Sequence, residues 1–288
     1  MLNYHLAWLA FSAFVSVTCP TDEFPHSEDT VEMYVAHLAT TNSALGVIKN
    51  ALSAIAWHHK SAKQPDPTKS FMTRRILVTL SRAAPAPKKA DPISLAMLEN
   101  CLGHLRELGL SPYESVLLKS LLLIMYYGCL RVGEVTLSSN PDNVLKLACT
   151  EFISLGGTRH FKFTLTKFKH SKGPETRCIP PNPLSRFCPV DSLSGYFRAR
   201  PRGGTQCFVL ADASPVPRLF VADALTKLLG ISGYKEGNFS THSLRAGRAT
   251  DLAAAGVSDA EIRAAGRWSS DAFKGYLRFP ILPVVGGP

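Results

Sequence analysis

The stretch THSLRAGRATDLAAAGVSDAEIRAAGRWSSDAFKGYLR, residues 241–278, decides how this chain is read. His242 and Arg245 stand three apart, so a helix over SLRAGRATDLAAAG sets both on one face. Ser258, Asp259, Ala260 and Glu261 form a capping-box pattern that starts a second helix. Trp268 follows in a Gly-Arg-Trp turn, and Tyr276 comes eight residues later. Taken singly, each is ordinary: His and Arg decorate exposed helices, and a Trp or late Tyr is by default a packing anchor. Two helices around a short turn also fit a helix-turn-helix, with DAEIRAAG as recognition helix. That helix offers only Arg263 to read base edges, so the reading is weak.

The rest of the chain supplies context. At 288 residues it can build one large domain or two ordinary ones, and 45% hydrophobic residues can fill a core. Lys and Arg number 32 against 22 Asp and Glu, a net charge of +10. Such a balance points to a polyanionic partner, with nucleic acid the first candidate. The seven cysteines are scattered, odd in number and never spaced as CxxC. They imply neither a zinc site nor a disulfide framework, and fit reduced thiols in a cytosolic or nuclear protein. The opening MLNYHLAWLAFSAFVSVTCP has an apolar signal-like run. It lacks a basic leading segment, and Ser16-Val17-Thr18 is a poor cleavage site, so residues 3–17 are read as a first helix and the protein as not secreted. VLLKSLLLIMYYGCL is interrupted by Lys119 and is too short to cross a membrane.

Linker composition appears in LSRAAPAPKKADPIS, residues 80–94. It divides the chain into a helical domain over 1–82, a linker over 83–92 and a larger domain over 93–288. In the first, Val31, Tyr34, Val35 and Leu38 share a face, as do Leu45, Ile48, Leu52 and Ile55. A basic helix over 67–83 carries Arg74 and Arg75 as candidate phosphate contacts. In the second, the apolar helix SPYESVLLKSLLLIMYYG belongs at the centre of a domain. Phe161, Phe163 and Leu165 alternate with polar residues, a turn falls at Lys172-Gly173, and Arg177-Cys178-Ile179 returns, a β-hairpin. CPVDSLSGYFRAR and LFVADALTKLLGI are helices again. The fold class is mainly α with a small antiparallel sheet (α+β). The hairpin window holds Arg159, Lys162, Lys167, Lys169, Lys172 and Arg177, opposed within it by Glu175 alone. That density reads as a phosphate-contacting surface.

Arg131 follows the apolar helix at once, and a lone buried charge is costly. Glu134, three residues on, is its natural partner, and the pair fits either a structural salt bridge or an arginine held rigid toward a phosphate. CLRVGE, FKHSKG, HSLRAG and GRWSSDAFKGYLR occur in this order. Together they resemble the tyrosine recombinase (phage integrase) family, and most closely the recombinases of eukaryotic DIRS- and Crypton-type mobile elements. The resemblance runs from the N-terminal helices through Arg278. It implies a helical core-binding domain joined to a catalytic domain, the two clamping double-stranded DNA.

What the resemblance implies is cleavage and rejoining of DNA strands through a covalent 3′-phosphotyrosyl intermediate, without cofactor, metal or small-molecule ligand. Tyr276 is the implied nucleophile. Arg131 and Arg245 are the implied ligands of the non-bridging oxygens, for which a guanidinium is suited. His242 is the implied base or phosphate ligand, and Trp268 an N–H donor. A hairpin lysine is the implied general acid. Matching FKHS selects Lys169 and counting back from RCIP selects Lys172. Lys169 is preferred, because Lys172 adjoins Gly173 at the turn tip, and Lys167 and Lys172 are left as DNA contacts. The spacing from Trp268 to Tyr276 is one residue shorter than in many bacterial and phage members, and Phe273 stands where closer relatives often have a second Tyr. A homotetramer on two DNA sites, no membrane and a nuclear location (cytoplasmic if prokaryotic) complete the expectation. The alternatives are an inactive DNA-binding remnant of a mobile element and type IB topoisomerase-like nicking and resealing.

Overall fold

The computed structural model describes residues 2–85, 90–168, 171, 173–275 and 277. The chain divides into two compact units, Met1–Pro87 and Lys88–Pro288. In the first, the apolar repeats form α1 (Leu2–Thr18), α2 (Glu28–Thr40), α3 (Leu45–Ser61) and, after a 3-10 turn at Pro67–Lys69, α4 (Phe71–Ala83). Ser27 caps α2, accepting from the Thr30 amide at 3.1 Å, and Ser70 caps α4, accepting from the Thr73 amide at 3.0 Å. Phe11, Val15, Val31, Tyr34, Val35, Ile48, Leu52 and Ile55 form its core. Leu38 and Leu45, read as part of those faces, are half-buried at its edge. His59 is buried: its Nε2 accepts from the His26 amide at 3.1 Å. Its Nδ1 donates to the Ile55 carbonyl at 2.9 Å.

The second unit is built on α6. α5 (Leu95–Gly103) and a 3-10 turn at Leu105–Leu108 precede α6 (Pro112–Tyr127). A Ser111–Glu114 capping box and Pro112 at its first position start α6. Leu117 through Tyr126 are buried except Lys119, so the helix is covered nearly all round, as its sequence predicts. α7 is a single turn, Val132–Val135. The sheet is β1 (Thr150–Leu155), β2 (Thr158–Leu165) and β3 (Glu175–Ile179), all antiparallel in the order β1-β2-β3. Phe152 pairs with Phe161, and Phe161 with Ile179. Phe161, Phe163 and Leu165 are buried on one face, as their alternation predicts. α8 (Pro189–Ala199) and α9 (Arg218–Ile231) follow, then α10 (Ser243–Ala254), α11 (Asp259–Gly266) and a 3-10 turn at Asp271–Gly275.

The sheet has three strands where the sequence reading had two. β1 lies at an edge and most of its residues are half-buried or exposed, so it leaves no alternating pattern. Its one local signal is the Gly156–Gly157 turn, where both residues have positive φ (57° and 77°), as a two-residue hairpin of this hand requires.

Three contacts fix α10. The Ile93 amide donates to the Ser243 carbonyl at 3.0 Å, and Asp251 accepts from the Leu95 amide at 2.8 Å and from the Tyr126 hydroxyl. Asp91, within the segment read as linker, exchanges bonds with Asn238 at 2.9 and 2.8 Å and so belongs to the second unit. The approach of this segment to α10 is close: a Cβ on Gly247 would lie 1.7 Å from the Ile93 carbonyl oxygen. Gly247→Ala is therefore expected to lower stability by about 1–3 kcal/mol through overpacking. Gly195→Ala in α8, where a Cβ meets nothing within 4 Å, is expected to raise it by roughly 0.5–1 kcal/mol. Denaturant midpoints of the two variants should move in opposite directions.

Candidate active site

α6 ends at Gly128, whose amide donates to the Ile124 carbonyl and where a Cβ would sit 2.8 Å from that oxygen. Cys129 then takes a left-handed conformation, φ 47°, turning the chain so that Arg131 becomes the residue before α7. Glu134 reaches back to it. One carboxylate oxygen accepts Arg131 Nη1 at 3.0 Å, and the other accepts the Arg131 amide at 2.8 Å. Arg131 is 28% exposed and Glu134 only 4%, so the guanidinium faces outward from a buried anchor.

His242 precedes α10 as its N-cap, and Arg245 lies in the first turn, at 1% exposure one of the largest fully buried side chains. Arg245 Nη1 donates to the Cys129 carbonyl at 2.8 Å and Nη2 to the Gly266 carbonyl. Its guanidinium carbon lies 4.5 Å from the centre of the Trp268 ring. That ring folds onto Gly266, where a Cβ would lie 1.6 Å from it. Trp268 also meets Phe273, 5.9 Å between centroids, in a small cluster with Ala249 and Ile262. Phe273 is fully buried there, so a tyrosine hydroxyl at this position would enter an apolar cluster.

The structure adds a residue that the sequence reading passed over. Arg267, the left-handed C-cap of α11, is 1% exposed and donates from Nη2 to Glu134 at 2.8 Å and to the Cys129 carbonyl at 3.2 Å. Arg131 and Arg267 thus meet at the Glu134 carboxylate, and Arg267 and Arg245 at the Cys129 carbonyl. The signal that could have found Arg267 is the short Trp268–Tyr276 spacing, since the count from Arg267 is one residue longer.

Burial, then the charge of Arg131, holds Arg245 down to about 10. Burial lowers Arg267 too, with Glu134 opposing the shift. Burial, then Arg245 and Arg131, pushes His242 below the ordinary histidine value, so the ring is neutral at pH 7. Nε of Arg245 and both Nε and Nη1 of Arg267 are buried donors with no acceptor among the described residues. Such a cluster is short of negative charge and of acceptors, which an anion with several oxygens would supply.

Other sequence candidates lie elsewhere. Arg74 and Arg75 are exposed on α4 in the first unit. Lys167 is exposed and paired with Asp142 at 2.9 Å. Lys169, Lys172 and Tyr276 lie outside the described residues. The chain neighbour of Lys169, Phe168, has its ring 5.2 Å from the Arg267 guanidinium, and the 3-10 turn at Asp271–Gly275 leads directly to Tyr276. The hairpin's cations are less available than their density suggested. Lys162 pairs with Glu151 at 2.7 Å, Arg159 donates to Ser194 at 3.1 Å, and Arg177 bonds Glu175 and the Ala264 carbonyl. Arg263, the proposed base reader of the helix-turn-helix reading, faces Asp271 at 3.6 Å.

This architecture has known counterparts. A XerH site-specific recombinase bound to a palindromic difH substrate matches with a TM-score of 0.64 and 18% identity, over 95% of this chain and 74% of that one. A lambda integrase dimer bound to a COC′ core site matches at 0.58 and 13%, over 96% and 70%. The Tn1549 transposon integrase in complex with transposon right end DNA matches at 0.59 and 13%, over 97% and 89%. The fold is that of the tyrosine recombinases. No family model and no curated protein matches the sequence, so the likeness lies in the fold rather than in overall identity. In this recombinase fold the buried arginines lie where α6, α10 and α11 converge.

Glu134→Gln removes the one negative charge bonded to two guanidinium groups. Breaking a buried pair in this way costs about 3–5 kcal/mol, and the expected fall in the denaturation midpoint is correspondingly large. Gly266→Ala forces the Trp268 ring off Arg245, which a changed indole crosspeak of Trp268 in a nitrogen–proton NMR spectrum would report.

Proposed function

We propose that this protein is a DNA strand-exchange enzyme of the tyrosine recombinase type, acting on double-stranded DNA. The observation that carries the reading is Arg131, anchored on the buried Glu134, together with the buried Arg245 and the neutral His242, in a recombinase fold. A phosphodiester in transit gains negative charge on its non-bridging oxygens, and pre-placed guanidinium groups stabilise that charge. Arg131 and Arg245 fill this role. Tyr276 attacks phosphorus, its phenol proton passing to His242. The bond from phosphorus to the 5′ oxygen breaks as Lys169 delivers a proton to that oxygen, leaving a 3′-phosphotyrosyl bond. A 5′ hydroxyl attacking this bond reverses the sequence, so bond energy is conserved and no nucleotide cofactor is used. The arginines perform the charge stabilisation that a metal would provide in other nucleases. Trp268 contributes through its ring, which covers Arg245, as well as through its N–H.

The resemblance of the motifs extends the reading to a mobile-element recombinase of the DIRS or Crypton kind, working as a homotetramer on two DNA sites in the nucleus. Arg74, Arg75, Lys167 and Lys172 are the accompanying backbone contacts; Lys167 would exchange its exposed pairing with Asp142 for a phosphate at little cost.

Nicked DNA carrying the element's terminal repeats should give an SDS-resistant adduct with the wild-type protein and none with Tyr276→Phe. Arg245→Ala should slow adduct formation by about 100–1,000-fold. DNA binding without adduct by the wild type would instead favour an inactive DNA-binding remnant, and relaxation without exchange between two sites would favour a nicking and resealing enzyme. The pH profile gives a second check. His242 titrates below the usual value of about 6.5, so the base is competent at pH 7 and the acid limb of the cleavage rate should fall below pH 6.5. The same depressed pKa means that the stability His242 contributes is present above pH 6.5 and is lost as pH falls through the folded-state value. An acid limb above 6.5 would remove His242 from the role of base.

A further inference from the structure

We infer that Arg267 is a positioning residue that ties the two phosphate-binding arginines and the lysine-bearing loop into one unit. This rests on the strand-cleavage reading above and names a group which that reading does not use. Arg267 makes three kinds of contact. It shares Glu134 with Arg131, at 2.8 Å from Nη2 and 3.0 Å from Arg131 Nη1 respectively. It shares the Cys129 carbonyl with Arg245, at 3.2 and 2.8 Å. Its guanidinium lies 5.2 Å from the ring centre of Phe168.

The third contact reaches the loop after β2. The Ser171 amide donates to the Phe168 carbonyl at 2.9 Å and the Phe168 amide to the Ser171 hydroxyl at 3.2 Å, so Phe168 is held to Ser171 by two bonds. Lys169 is its next residue, with consecutive Cα atoms about 3.8 Å apart. The Arg267 contact therefore bears on the residue to which the lysine is covalently joined. A second tie comes from β3, where Arg177 donates to the Ala264 carbonyl at the end of α11.

Position 267 itself argues that the side chain has a use. It is a helix C-cap with φ 55°, a conformation that favours glycine. An arginine is kept there with Nε and Nη1 buried and without acceptors among the described residues. A lysine could replace the charge but not the planar fork that meets a carboxylate, a carbonyl and an aromatic face together.

The test uses the full chain and a nicked DNA in two forms, one with the ordinary oxygen at the scissile 5′ position and one with sulfur there. A thiolate leaves without a proton, so a defect that acts through the lysine loop vanishes with sulfur, while a general loss of structure slows both forms alike. Phe168→Ala, which removes only the ring, is expected to slow cleavage of the oxygen form by about 100-fold and to leave the sulfur form within about threefold of wild type. Arg267→Ala is expected to slow both, with the oxygen form losing at least about tenfold more, and Arg267→Lys to recover only part of that loss. Should Arg267→Ala fail to fold, Phe168→Ala and Arg267→Lys still decide the matter. Equal slowing on the two forms, or no slowing on oxygen, would overturn the inference. Absence of wild-type cleavage on both forms would overturn the strand-cleavage reading, and this inference with it.

Discussion

Among the described residues, Glu134 is the one carboxylate within ion-pair reach of Arg131 and Arg267, and Arg245 has none. Much of the second unit's arrangement serves this shortage of negative charge. Burying a guanidinium without a counter-charge is expensive, so the fold must meet the donors by other means or leave them for an incoming anion. It does both. Carbonyls of Cys129 and Gly266 take the Arg245 fork, and the Trp268 face lies against it. What is left, three buried guanidinium nitrogens, is the part of the cluster that no group among the described residues answers. A fully neutralised cluster would be more stable and would have less to offer a phosphate.

The carbonyls can serve only if backbone comes unusually close, and two glycines allow it. Gly266 lets the Trp268 ring fold onto the chain, and Gly247 lets the extended segment through Ile93 lie against α10. The second approach sets the angle at which α10 presents Arg245, since the Ile93 amide is bonded to the Ser243 carbonyl in the same turn. Asp251, two turns on from Ser243, repeats the tie to α5 and α6. α10 is thus clamped along its length, and the arginine in its first turn has little freedom to relax away from its partners.

How much of this was legible depended on how local each determinant is. α6 was plain because an unbroken apolar run has one destination. The Arg131–Glu134 pair was plain because both residues sit in one turn. β2 and β3 were visible by alternation, whereas β1, an edge strand with little burial, was not. The hairpin's charge misled for a related reason: within its own window only Glu175 opposes it, but pairing with β1 brings Glu151 to Lys162, and a loop brings Asp142 to Lys167. Opposing charges supplied by the fold cannot be counted in a linear window. Arg267 was the largest omission. Its neighbours Glu134, Cys129 and Phe168 come from two distant segments, and nothing in Gly-Arg-Trp by itself distinguishes a solvated arginine from a buried one.

Backbone conformation ties these segments together. Cys129 and Arg267 are two of the few non-glycine residues with positive φ, at 47° and 55°. Such conformations cost of order 1–3 kcal/mol and persist where surrounding contacts over-determine them. Here each supplies the other's reason. The turn at Cys129 aims its carbonyl inward, where two guanidinium groups converge on it, and the turn at Arg267 sends its side chain back toward that carbonyl. Relaxing either residue to the ordinary helical region would swing its partner group away and leave a buried arginine still shorter of acceptors. The strain at the two ends is therefore stabilised by a shared oxygen atom, and the geometry of the arginine cluster is set by backbone torsions as much as by charge.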